Sequence, residues 1–67
     1  MSAPRIFARR GVFGRWYITR SDDDELAWTG MAWTKHNNGV GIAGVQVSNF
    51  AERDECEEYI RKTWLDA

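Results

Sequence analysis

His36 is the only imidazole and Cys56 the only thiol in these 67 residues, so a nucleophile paired with a base would have to be built from those two. His36 precedes the turn dipeptide Asn38-Gly39, whereas Cys56 falls on the apolar side of a helical pattern. The spacing predicts that they do not meet, with His36 a solvated turn residue and Cys56 a small buried hydrophobe. The run Asp22-Asp23-Asp24-Glu25 offers carboxylates to a hard cation but lacks the spaced ligands and central glycine of an EF-hand loop. It reads as a solvated turn, neutralised in part by Arg20, whose charge discourages edge-to-edge association. Gly39, Gly41 and Gly44 resemble a phosphate loop only until the chain after them is read: such a loop opens onto a helix, and here more strand follows. One cysteine rules out an intramolecular disulfide and a zinc site built on several thiolates. The sequence therefore predicts no catalytic residue, no metal ligand and no cofactor. The expected class is a non-enzymatic binding module.

What the composition offers for binding is aromatic. Four Trp, three Phe and two Tyr must supply the core of a chain this short, because below about 70 residues a fold needs dense packing, a metal, disulfides or oligomerisation. The apolar and charged fractions, 43% and 28%, are those of a folded chain rather than a disordered one. No run reaches the 18 apolar residues of a membrane span and the first residues lack the apolar stretch of a secretory signal, so a cytoplasmic location without membrane contact is expected. The five arginines among residues 1–20 do not make a transit peptide, since Trp16, Tyr17 and Ile18 already read as strand.

The elements follow from periodicity. Residues 1–5 are expected to be flexible, Ile6 and Phe7 are a candidate short fourth strand, and Gly11 and Gly14 interrupt it. Residues 13–20 alternate as a first strand, residues 21–24 turn the chain, residues 26–36 form a second strand, and Asn38-Gly39 supplies a type I′ hairpin turn. Residues 40–48 form the third strand. Asn49 then caps a helix running to about Trp64, with Glu52 completing a capping box. Phe50, Cys56, Tyr59, Ile60, Thr63 and Trp64 share its apolar side, and Glu57 with Arg61 and Glu58 with Lys62 are i,i+4 pairs on its surface. The fold class is α+β, a single small domain of three antiparallel strands packed by one C-terminal amphipathic helix in the order β-β-β-α.

A single helix covers one sheet face, which makes the tryptophans informative. If the second strand is regular, Trp28 and Ala32 face one way while Ala27, Met31 and Trp33 face the other, leaving an exposed aromatic surface of the kind that marks a binding site. A bulge at Gly30 would instead shift the register and place both tryptophans inside. Both arrangements stay open at this level. The favoured reading is a protein-binding or regulatory module, with a protein partner or a second copy held by Trp28, Met31, Trp33, Arg15 and Tyr17.

The alternative is nucleic-acid binding, with Arg9, Arg10, Arg15, Arg20 and Lys35 reaching DNA or RNA from the sheet face. The order Gly14-Arg15-Trp16-Tyr17-Ile18, further strands, then Phe50 and a helix containing Glu57-Glu58-Tyr59-Ile60 is similar to the AP2-type and integrase arm-binding domains. That resemblance implies DNA on the sheet face with the helix behind it. This chain departs from it in a long connection between the second and third strands and in a sheet with few cations beyond Arg15, Arg20 and Lys35. A net charge near −1 gives no general affinity for phosphate.

Overall fold

The computed structural model describes residues 5–65. Its central strand is the aromatic and β-branched run Trp16–Arg20 (β2), which lies against Ile6–Arg10 (β1) in a regular antiparallel register from Ile6↔Arg20 to Arg10↔Trp16. The candidate N-terminal strand is thus a full five-residue strand; of residues 1–5, expected to be flexible, residues 1–4 lie outside the described residues, and Arg5 is hydrogen-bonded through both its N–H and its carbonyl to Ser21. Leu26–Trp28 (β3), Trp33–Asn37 (β4) and Val40–Gly41 (β5) continue the sheet in the order β1-β2-β3-β4-β5. Asn49–Phe50 (β6) returns to pair with β2 through Trp16↔Phe50 and Tyr17↔Asn49. Arg53–Ile60 (α1) follows and runs into a π-helical turn, Arg61–Leu65. The class is α+β, but the antiparallel sheet has six strands rather than three.

The first correction concerns residues 26–36. They form a hairpin, not one strand. Thr29 N–H donates to the Ala32 carbonyl at 2.9 Å, and the Thr29 hydroxyl accepts from the Ala32 N–H at 3.1 Å. Gly30, at φ 109°, takes a positive φ that glycine adopts at little steric cost. The glycine is the corner of the turn, and neither a regular strand nor a bulge describes it. Trp28 and Trp33 become directly opposed partners, and opposed residues in an antiparallel pair share a face.

That face is the one under the helix. Ile18, Cys56 and Ile60 are its buried centre, surrounded by Ile6, Ala8, Trp16, Trp28, Trp33, Phe50, Tyr59 and Trp64. Trp28 meets Trp33 and Trp64 at 5.2 Å between ring centroids in each case, and Trp64 stacks on Trp33 at 6.0 Å. The Trp28 indole N–H donates to the Tyr59 hydroxyl at 3.2 Å, so the half-buried ring keeps a partner for its polar atom. Arg20 lays its guanidinium over Trp33 at 5.2 Å while two of its nitrogens bind Asp22 at 2.8 Å each. That pairing holds the Asp22 carboxyl below its ordinary range and pins the acidic turn.

Two further expectations shift for backbone reasons. Residues 40–48 do not continue as a strand beyond Gly41, because Ala43 (φ 58°) and Gly44 (φ 81°) enter the left-handed region and reverse the chain. The helix cap is Glu52 rather than Asn49. Asn49 and Phe50 are committed to pairing with β2, and the reciprocal capping box forms one turn later between Glu52 and Glu55. Lys62 pairs with Glu58 at 3.2 Å as its spacing predicts, and Glu57 takes Arg53 at 2.9 Å. The Asn38-Gly39 turn forms as expected, with φ 53° and 89°.

The two readings of the tryptophans separate experimentally. Trp28→Ala removes a ring from the helix–sheet seam and should lower the unfolding free energy by about 3 kcal/mol. Met31→Ser, at a side chain 87% exposed on the hairpin tip, should stay within about 0.5 kcal/mol of the parent. Urea denaturation followed by tryptophan fluorescence measures both.

A candidate protein-binding cleft

The sheet face away from the helix carries the odd-numbered residues of β1 and β2. Tyr17 and Ala27 are buried there with Val47, and Thr19, wholly buried, donates its hydroxyl hydrogen to the Leu26 carbonyl at 2.7 Å. Among the described residues no helix covers this side. Two loops do so in part: the β1–β2 turn, residues 11–15, and the segment that follows β4. They are tied together where Val12 N–H donates to the Asn38 carbonyl at 2.9 Å.

Missing side chains make the approach possible. A Cβ on Gly39 would stand 2.8 Å from the Tyr17 ring, and one on Gly41 would stand 1.7 Å from the Val45 carbonyl oxygen. Only a bare backbone lets the β4–β5 turn close on Tyr17 and the next loop fold back on β5. Between these loops a cleft of about 420 Å³ remains, floored by Tyr17 and Val47 and walled by Val12, Phe13, Val40 and Val45.

Six large apolar side chains are exposed among the described residues: Val12, Phe13, Met31, Val40, Ile42 and Val45. Four of them line the cleft, and Ile42 rides on the loop that forms its wall. Residues 37–51 contain no ionisable side chain at all. The one charged side chain lining the cleft is Arg15, whose Nε–H donates to the Asn49 side-chain oxygen. Asn49 in turn donates to the Val47 carbonyl at 3.2 Å. The guanidinium is thereby anchored at the cleft, with its terminal nitrogens engaged by no carboxylate among the described residues.

Beneath the cleft a small polar cluster braces the floor. The Tyr17 ring packs against His36 at 4.8 Å. His36 Nδ1 accepts from the Gly39 N–H at 2.9 Å, so the proton sits on Nε2, which donates to the Asp24 carbonyl at 2.9 Å. His36 is therefore a half-buried strut between two turns rather than the solvated turn residue its position predicts. Burial pushes the Tyr17 phenol above its ordinary value, against the opposing pull of Arg9.

Of the five residues expected to bind protein, only Arg15 and Tyr17 come together at this cleft, as an anchored cation and part of the floor. Trp28 and Trp33 lie on the opposite face under the helix, and Met31 stands on the β3–β4 tip. The arginines proposed for nucleic acid are divided. Strand alternation places Arg10, Arg20 and Lys35 on the helix side and Arg9 and Arg15 on the other. Arg9 faces Asp24 at 3.9 Å, and Arg20 is held by Asp22 and Trp33. No single sheet face gathers them. Val12, Phe13, Val40, Ile42 and Val45 did not stand out by residue type; for Val40, Ile42 and Val45 the signal that could have found them is the uncharged stretch of residues 37–51, and Val12 and Phe13 carry no such signal.

The reactive groups elsewhere are occupied. Cys56 is fully buried, and desolvation, reinforced by Glu57, pushes its thiol up to about 11. Its ordinary value is near 9, so at pH 8 the thiolate fraction should fall about a hundredfold on folding. Native protein should react slowly with a thiol-specific disulfide reagent at pH 8, and the rate should recover in urea. Because the folded-state value is raised, stability should decline as pH rises from about 9 through 11. Cys56→Ser should remove the thiol's share of that decline and leave the share due to Tyr17, whose value is also raised.

No group of three or more His, Cys, Asp or Glu side chains converges on a common point among the described residues, and no helix there is long and apolar enough to cross a membrane. Comparison with known proteins finds no matching protein family, no matching curated protein and no matching solved structure.

Proposed function

We propose that this chain is a non-enzymatic protein-binding module and that its partner occupies the cleft between residues 11–15 and residues 40–47. The observation that carries this reading is the placement of exposed apolar side chains. Four of six line one concavity, whereas scattered exposure would be ordinary. A concave, mostly apolar site with one anchored polar group is how recognition surfaces are built. The chemistry of the rest of the chain agrees with a binding role. His36 has both ring nitrogens on backbone partners, and Cys56 lies on the other side of the sheet with a thiol that ionises only near pH 11. A lone buried thiol also suits a reducing, cytoplasmic setting.

The test is a random peptide library displayed on phage and panned against the immobilised chain. Phe13→Ser and Val45→Asp serve as comparators because their side chains are exposed and the fold should tolerate them. The parent should enrich peptides that both variants fail to retain, with thermal midpoints unchanged by more than a few degrees. Enrichment that survives Val45→Asp would remove the cleft from the binding surface, and no enrichment on the parent would end the reading.

A further inference from the structure

The cleft's electrostatics select among the partners an apolar concavity could accept. Resting on the binding role proposed above, we infer that the occupant is a short segment of another protein in which apolar residues are flanked by aspartate or glutamate side chains. The apolar residues would seat among Val12, Phe13, Val40 and Val45, and a carboxylate would pair with Arg15.

Three observations converge on that chemistry. Arg15 is the sole charged side chain lining the cleft, and fifteen consecutive residues around it, 37–51, carry no charge to neutralise it internally. Its Nε is fixed to Asn49, so the guanidinium is oriented before a ligand arrives, while no carboxylate of the described chain pairs with it. A pre-oriented guanidinium matches a carboxylate with two donors and loses little side-chain entropy on binding. The cleft lining is positive and contains no acid.

The same charge argues against a second copy as occupant. Two-fold pairing of this face would bring identical patches together, placing Arg15 near its symmetry mate with no acid in the cleft lining to offset the repulsion. An acidic apolar segment meets both features at once.

The experiment uses blocked hexapeptides, acetylated and amidated at the ends so that only side chains carry charge. Each has two central apolar residues flanked by positions drawn from Asp, Glu, Asn, Gln, Lys and Ser. Incubated with the intact chain and separated by gel filtration, the bound pool should be enriched in Asp and Glu over Asn and Gln about three- to tenfold. The preference should shrink as salt rises and vanish in Arg15→Gln, while Arg15→Glu should shift enrichment to Lys.

A bound pool indifferent to charge overturns the carboxylate assignment but leaves the cleft as an apolar protein-binding site. A pool enriched in Lys on the parent chain overturns it as well. If no peptide binds and sedimentation shows a dimer that Phe13→Ser dissociates, the occupant is a second copy. If no peptide binds and the chain stays monomeric, both this inference and the binding reading fall.

Discussion

The helix–sheet seam around Trp28, Trp33 and Trp64 is the constraint on which the rest of the molecule depends. A chain of 67 residues has little surface to bury, and its fully buried apolar centre consists of few side chains. Three indole rings in mutual contact, edged by Tyr59 and capped by Arg20, supply the area that aliphatic residues would otherwise have to provide. Rings of that size cannot be shared between two faces of one small sheet. Placing Trp28 and Trp33 opposite each other at the base of the hairpin connection, residues 29–32, commits both to the same side, and the helix must follow them there.

Commitment of the tryptophans to one face leaves the other face with mostly small and medium side chains. Ala27 and Thr19 fill their positions without projecting, Tyr17 is the large ring at the cleft, and Phe7 lies toward the acidic turn. No second helix exists in the described chain to cover them, so cover comes from loops that approach closely only because Gly39 and Gly41 have no side chain. Loops without side chains at the contact points cannot fill the space above Tyr17. The cleft is thus a geometric consequence of the seam: the packing that makes one side solid makes the other concave. Its openness follows from the same economy of apolar mass, with Phe13 and Val45 left standing at the rim rather than folded in.

Local chemistry made some of this legible in the sequence. Asn38-Gly39 tolerates positive φ at both positions and formed the expected turn, the aspartates at 22–24 read as a solvated turn and are exposed, and the spacing of Cys56 and Ile60 put both on the buried helix side. The misplaced boundaries share a cause. Gly30, Ala43 and Asn49 sit where two local structures are comparably favourable and a distant contact decides. Gly30 serves a bulge or a turn, and the fit of Trp28 and Trp33 under one helix selects the turn. Ala43 has no intrinsic reason to adopt a left-handed conformation, so a period-two pattern through Val45 and Val47 reads as strand although the chain reverses there. Asn49 is a good helix cap that is instead recruited by Tyr17 as a strand partner. The cleft was hidden for a related reason: its residues come from three separate segments, one of which contains Arg15 and two of which are uncharged, and no pattern along the chain joins them.

The absence of charge in residues 37–51 also explains why the arginines divide as they do. An alternating strand sends consecutive cations to opposite faces, so the arginine-rich first twenty residues cannot concentrate on one surface once β1 and β2 pair. Each cation then meets whatever its side of the sheet supplies. Arg20 finds the acidic turn and a tryptophan ring, and Arg9 finds Asp24, so most of their charge is answered within the chain. Arg15 alone emerges beside the uncharged segment, where the nearest polar side chain is the neutral amide of Asn49. An amide can orient a guanidinium but cannot neutralise it. The same strand alternation that disperses a basic surface thus leaves one fixed, unanswered cation at the mouth of the one apolar hollow, and the pairing of those two features gives the cleft its chemical selectivity.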